Sequence, residues 1–146
     1  MQILIRQGLS NLSQAAEIRR EVFIEEQKFS NEFDETDQTA WHALLLISGQ
    51  AAATARAFPD PQDPRTYHIG RVAVRKQYRG QKLGQKVMEA LEEKLSDLGA
   101  NTITLSAQVR VQGFYESLGY HAQGEPYFDE YCPHICMIKQ LIKREG

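Results

Sequence analysis

This sequence predicts an α/β (α+β) fold, a mixed central β-sheet with helices on both faces, and three observations predict it. Short apolar runs of strand length alternate with stretches of helical spacing in the order β-α-β-β-β-α-β-α-β-β. Leu83, Val87, Leu91 and Leu95 recur at every fourth residue between apolar runs at 69–74 and 103–107, so the strand-helix-strand unit over 67–107 is expected to be a right-handed parallel crossover. Ser48-Gly49-Gln50 separates two further apolar runs, 41–47 and 51–58, which marks a β-hairpin.

The remaining elements follow in chain order. Residues 2–6 read as the first strand, closed by a turn at Gly8. Asn11, with Gln14 three residues on, is placed as the cap of a helix whose Ala15, Ile18 and Val22 share one face. Residues 25–37 hold six acids against one base, Lys28, and their later half reads as loop. The segment 59–65, with three prolines and two aspartates, reads as a loop leading into the strand at 69–74. The long helix is expected to stop at Gly99, a residue suited to left-handed backbone angles. A short helix over 114–118, a strand near Tyr120, a loop containing Pro126 and a last strand through Ile138 complete the chain.

Length and charge bound the function. At 146 residues and 16.6 kDa the chain is expected to form one domain over 1–146. A net charge of −2 exerts no general pull on nucleic acid or an anionic membrane. No apolar run approaches the roughly 20 residues of a membrane span, and the first residues lack the apolar core of a signal peptide, so a cytoplasmic protein is expected. Cys132 and Cys136 are too few for a disulfide framework. With His134 they form an alternating trio whose spacing is not a common zinc pattern, and no metal is expected.

The stretch 75–86, R-K-Q-Y-R-G-Q-K-L-G-Q-K, carries five positive charges, no negative one and two glycines. It sits where a strand becomes a helix. Backbone N–H groups without partners and the positive end of the helix dipole meet there, and glycines at 80 and 84 let a pyrophosphate approach the main chain. A solvated basic turn is the plain alternative.

This string resembles the acyl-CoA-binding signature Q/R-x-x-G-x-G/A of the GNAT N-acetyltransferase superfamily, with Gln77 and Gly80 in the first two fixed positions and Lys82 departing from the third. Downstream, Q-V-R-V-Q-G-F-Y-E-S-L-G-Y over 108–120 is similar to the superfamily's N-x-x-A-x-x-F-Y-x-x-x-G-F/Y, with Gln108 for Asn and Val111 for Ala. Val22-Phe23, Glu26-Gln27 and Pro133-His134 with Met137 resemble the V-F-x-x-E-Q and P-H-x-x-M elements of the ElaA/YjcF-like subgroup. The resemblance implies a GNAT fold and acetyl-CoA as cosubstrate.

It also implies roles. Arg79, Gly80, Gln81, Lys82, Leu83 and Gly84 would hold the CoA phosphates, with Arg75, Lys76 and Lys86 facing them. Val72, Ala73 and Val74 would pair with the pantetheine arm, and Gln108 would also bind the cofactor. Tyr115 would be the general acid, since a phenol of pKa about 10 stays protonated at neutral pH and can protonate a departing thiolate. The carboxylate that many members carry on the strand before the cofactor turn is replaced by Gly70. Glu26, His42, His68 and His134 are the other candidates for a base, with Glu26, His42 and His134 as candidate acceptor-lining residues. The acidic stretch before His42 could attract a cationic amine or be a solvated loop.

The leading function is direct acetyl transfer from acetyl-CoA to a primary amine of a small molecule or peptide. An acyl-CoA-binding regulatory module and a small metal-binding interaction domain are the alternatives. Neither nucleic acid nor membrane is an expected partner, and a monomer or homodimer is expected.

Overall fold

The residues that separate the strands decide their limits. In a computed structural model, which describes residues 1–30 and 32–141, strand β1 spans Gln2–Gln7 and ends at Gly8, whose φ of 85° only glycine adopts at little cost. Residues 142–146 of the expected 1–146 domain lie outside the described residues. Asn11 does not cap the first helix, α1 (Ser13–Arg19): its side-chain amide donates instead to the Gln7 carbonyl at 2.8 Å, and Leu12 holds the cap position without a side-chain bond. The helix widens into a π-helical segment over Arg20–Glu26. Ala15, Ile18 and Val22 are buried together as the spacing required.

Strands β2 (Trp41–Ile47) and β3 (Gln50–Asp60) form the expected hairpin. Ser48 and Gly49 both take positive φ, 49° and 78°, so the two-residue turn has the hand that suits twisted strands. The expected loop over 59–65 is not one: β3 runs to Asp60 and β4 (Asp63–Val74) begins three residues later. Asp60 accepts the Gln62 N–H at 2.8 Å and Asp63 accepts the Arg65 N–H at 3.0 Å, so two aspartates shape a tight turn that holds Pro61, while Pro59 and Pro64 fall at strand ends. Pro126 likewise lies in a strand, β6 (His121–Asp129), within the stretch where its register against β7 (Cys132–Gln140) shifts between Gln123 and Tyr127. Proline is tolerated there because β6 ends the strand order and a shifted stretch needs fewer ladder donors.

Helix α2 (Leu83–Asp97) stops as predicted: Gly99 has φ 95°, and the Ala100 N–H returns to the Leu95 carbonyl at 2.9 Å. Gly119, at φ 96°, ends α3 (Gln112–Ser117) in the same way. The strands, with β5 over Thr102–Gln108, follow the order β1-β2-β3-β4-β5-β7-β6 in one mixed seven-stranded sheet. The element order is the predicted one. The chain divides into two units. One holds Met1–Phe58 and Gly70–Lys94, where the alanine-rich β3 is buried on both faces and Leu45, Ala52, Ala53 and Leu83 form an apolar cluster with Ile3, Ile47, Val74 and Tyr78 around it. The other holds Pro59–Ile69 and the chain from Leu95, where β4 pairs in parallel with β5 from Thr66↔Thr102 to His68↔Thr104, and β5 pairs antiparallel with β7. Among the described residues no helix is long and apolar enough to cross a membrane.

Candidate active site

In the first unit the basic turn is built on a fixed base. The Arg75 N–H donates to the Ala52 carbonyl at 2.9 Å, a short 3-10 turn over Lys76–Tyr78 follows, and Gly80 takes φ 87° with open space where a Cβ would stand. Lys82 also sits at positive φ, 61°, and its carbonyl accepts the Lys86 N–H at 3.2 Å to open α2. The N–H groups of Leu83, Gly84 and Gln85 therefore precede the first intrahelical bond and act as donors at the positive end of a fifteen-residue helix. Gly84 is buried, while Lys76, Lys82 and Lys86 are exposed. Position 82 is thus left-handed, a conformation in which a residue without a Cβ is least strained.

Two of the cations are engaged within the fold. Arg75 grips the Glu21 carboxylate at 2.8 and 3.3 Å, and Arg79 grips that of Glu26 at 2.7 and 2.8 Å while its Nε donates to the Val74 carbonyl at 2.9 Å. Val72, Ala73 and Val74 lie at the end of β4, with Ala73 buried. Gly70 lies just before them, and a Cβ there would meet nothing within 4 Å.

The acidic stretch is neither solvated nor open to an amine at Glu32 and Asp37. Arg19, wholly buried, donates to Glu32 at 2.7 Å and to Asp37 at 2.7 and 3.1 Å. Arg56 bridges Asp34 and Asp37 at 2.7 and 2.9 Å, and Arg71 reaches Glu32 at 3.2 Å. Burial works to raise the Asp37 carboxyl, but bonds from Arg19, the Asp34 N–H and Arg56 outweigh it and draw it down to about 2. Burial wins at Glu32, which is held above the ordinary range. His42 belongs to this core and not to an acceptor surface: it is fully buried, its Nε2 donates to the Asp37 carbonyl at 3.0 Å, and burial keeps it readily neutral. The network was missed in the sequence, although Arg19 stands one turn from Ala15 on the buried helix face, where an arginine must be paired.

In the second unit Tyr115 is 8% exposed, its ring edge-on to Phe114 at 4.9 Å and to Tyr120 at 6.0 Å. Burial holds its phenol well above the ordinary range, so it stays protonated at any physiological pH. Gln108, at the end of β5, accepts from Arg110 Nε at 2.9 Å. His134 is buried, donates from Nδ1 to the Cys132 carbonyl at 2.9 Å and stacks on Tyr127, whose hydroxyl shares a hydrogen bond with Ser106. His68 bonds Asp60 at 2.8 Å. Among the described residues no group of three or more His, Cys, Asp or Glu side chains is arranged to hold a metal ion.

The glycine turn opens a helix after the fourth strand of a mixed sheet, and comparison with known proteins gives the class of protein built this way. Residues 9–141 match the model of the acetyltransferase (GNAT) domain. The protein YyaT of Bacillus subtilis is 34% identical, with 92% of each chain covered, and ElaA of Escherichia coli is 32% identical over 93% of this chain and 92% of its own. The crystal structure of E. coli ElaA superposes with a TM-score of 0.84 at 29% identity, covering 94% of this chain and 98% of that one. An acyl-CoA N-acyltransferase from Pseudomonas aeruginosa superposes with a TM-score of 0.83 at 28% identity and the same coverage. The chain belongs to the GNAT acetyltransferase family, and its class of activity is N-acetyl transfer.

Proposed function

We propose that residues 1–146 work as one domain that passes acetyl from acetyl-CoA directly to a primary amine of a small molecule or peptide in a ternary complex. The observation that carries this reading is the turn at 79–84, where left-handed Gly80 and Lys82 lead into a helix N-terminus whose first N–H groups lack intrahelical partners and whose neighbours Lys76, Lys82 and Lys86 are exposed. Arg79, Gly80, Gln81, Lys82, Leu83 and Gly84 hold the diphosphate, Val72 to Val74 bind the pantetheine arm through their backbone, and Gln108 is a further cofactor-binding residue.

In the transfer, the neutral amine nitrogen attacks the thioester carbonyl, the carbon–sulfur bond breaks, and the thiolate takes a proton from the Tyr115 hydroxyl. Solvent returns that proton to the phenolate, and the acetylated nitrogen gives up its extra proton to water or a base. His134 is the acceptor-side candidate that remains, since Glu26 is held by Arg79 beside the cofactor turn. The second reading, an acyl-CoA-binding regulatory module, is favoured by Gly70, which leaves the usual base position without a carboxylate.

Thermal melting with CoA, followed by CoA release from acetyl-CoA against a panel of amines, tests both. CoA at a hundredfold excess over its Kd adds about 2.7 kcal/mol and raises Tm by roughly 5–10 °C. No shift at millimolar CoA removes both readings, and a shift without turnover on any amine leaves the regulatory module.

A further inference from the structure

Arg79 uses all three of its guanidinium nitrogens in bonds within the fold. Nη1 and Nη2 each bond one oxygen of Glu26, at 2.8 and 2.7 Å, and Nε bonds the Val74 carbonyl at 2.9 Å. Val74 ends β4, Arg79 ends the 3-10 turn just before Gly80, and Glu26 closes the π-helical segment, so one guanidinium ties three pieces of backbone together at the mouth of the cradle. Both partners of the ion pair are 40% exposed. Arg79 is thus paired with a carboxylate at the place where, on the reading above, a diphosphate arrives. Its neighbour Arg75 has the same pattern, with Glu21 on two nitrogens and the Ala51 carbonyl on Nη1 at 3.2 Å, but it precedes the 3-10 turn whereas Arg79 adjoins Gly80.

We propose that Glu26 is an exchangeable counterion of Arg79, displaced by the diphosphate of acyl-CoA, and thereby sets the affinity for the cosubstrate. This rests on the proposed CoA site. The chemistry favours exchange over a permanent bridge. A half-exposed carboxylate pair is held by little net free energy, whereas a diphosphate brings more negative charge and several acceptor oxygens to the same fork and also to the helix N-terminus beside it. The Nε bond to Val74 can persist while Nη1 and Nη2 change partner, so the side chain needs no new rotamer. Segments with π-helical turns recur at functional sites because the extra residue loosens the local ladder, and Glu26 is the last residue of one.

The test is the affinity of the full chain for CoA, and separately for pantetheine, in wild type and Glu26→Gln, by calorimetry or by inhibition. Glutamine keeps the shape and removes the competing charge. CoA is expected to bind about three- to tenfold more tightly to the variant at low salt, the gain shrinking in 0.5 M salt, whereas pantetheine, which has no phosphate, is expected to bind alike. Unchanged or weaker CoA binding by Glu26→Gln overturns the proposal and makes Glu26 a support that orients Arg79. An equal gain for pantetheine overturns it too, because the effect would then not involve phosphate. A melting curve of the variant confirms that it is folded, and Glu26→Ala serves as the second variant with the same expectation. Failure of the wild type to bind CoA at all is a different result, and it removes the site itself.

Discussion

Arg19 and Asp37 meet through two bonds of 2.7 and 3.1 Å in a place that water does not reach, and Glu32 and Arg56 close the group around them. An arginine on the apolar face of α1 is thus the hub that holds residues 32–38 in position. Removing one partner of a buried pair leaves the other charge uncompensated. Arg19→Met is therefore expected to cost about 3–5 kcal/mol in urea unfolding, far more than the loss of an exposed pair. A cost below about 1 kcal/mol would mean the group is dispensable to stability.

The same group predicts an acid limit. Asp37 is drawn down to about 2 from an ordinary 3.8, so its contribution is complete above about pH 4 and disappears as pH falls through about 2. That contribution is about 2 kcal/mol. Glu32 acts with the opposite sign: held high by burial, it costs stability when ionised and blunts the fall as it is protonated. Urea midpoints between pH 5 and pH 2 are expected to drop mainly below pH 4, and Asp37→Asn to be less stable at pH 7 with a flatter acid limb.

Lys82 carries a side chain at φ 61°, a conformation that L-residues other than glycine adopt at a cost of roughly 1 kcal/mol. Lys82→Gly is expected to raise stability by about 0.5–1 kcal/mol, seen as a rise of about 2–4 °C in Tm. Lys82→Ala keeps the Cβ and is expected to gain nothing. An equal gain from alanine would assign the effect to charge instead of backbone.

Tyr115→Phe retains the ring contacts with Phe114 and Tyr120 and removes one hydroxyl. If that hydroxyl protonates the thiolate, kcat falls by about 10²–10⁴ with CoA affinity little changed. Equal turnover by mutant and wild type on an accepted amine would assign the proton to water.

Gly70 lies in β4 with open space at its Cβ position, so Gly70→Ala is expected to be neutral or to stabilise by about 0.5 kcal/mol. Gly70→Glu is expected to fold and, if a base is what the chain lacks, to raise kcat/KM for an amine near neutral pH. No change on an amine with measurable turnover would show that the reaction runs without a side-chain base at that position.

What was legible in the sequence was local. The hairpin at Ser48-Gly49, the helix through Leu83, Val87, Leu91 and Leu95 and its stop at Gly99 each depend on a few neighbouring residues whose backbone preferences and spacing agree. The basic turn was legible for the same reason, since strand, glycines, cations and helix follow one another along the chain. Reading failed where short-range signals had two outcomes. Prolines near 59–65 and at 126 suggested loops, yet aspartate-shaped turns and an edge position let the strands continue, and Asn11 found the Gln7 carbonyl instead of a helix N-terminus.

The sequence by itself therefore determined the succession of elements and the chemistry of the turn at 75–86. Only the tertiary structure decided which charges those elements use up. Glu26 lies 53 positions from Arg79, Glu21 lies 54 from Arg75, and Glu32 lies 39 from Arg71. No periodicity relates such residues, because their encounter depends on how separate elements pack. Packing likewise placed His42 among buried arginines and aspartates, where solvent is excluded and a neutral ring is favoured, so that a histidine of catalytic type serves as part of the core.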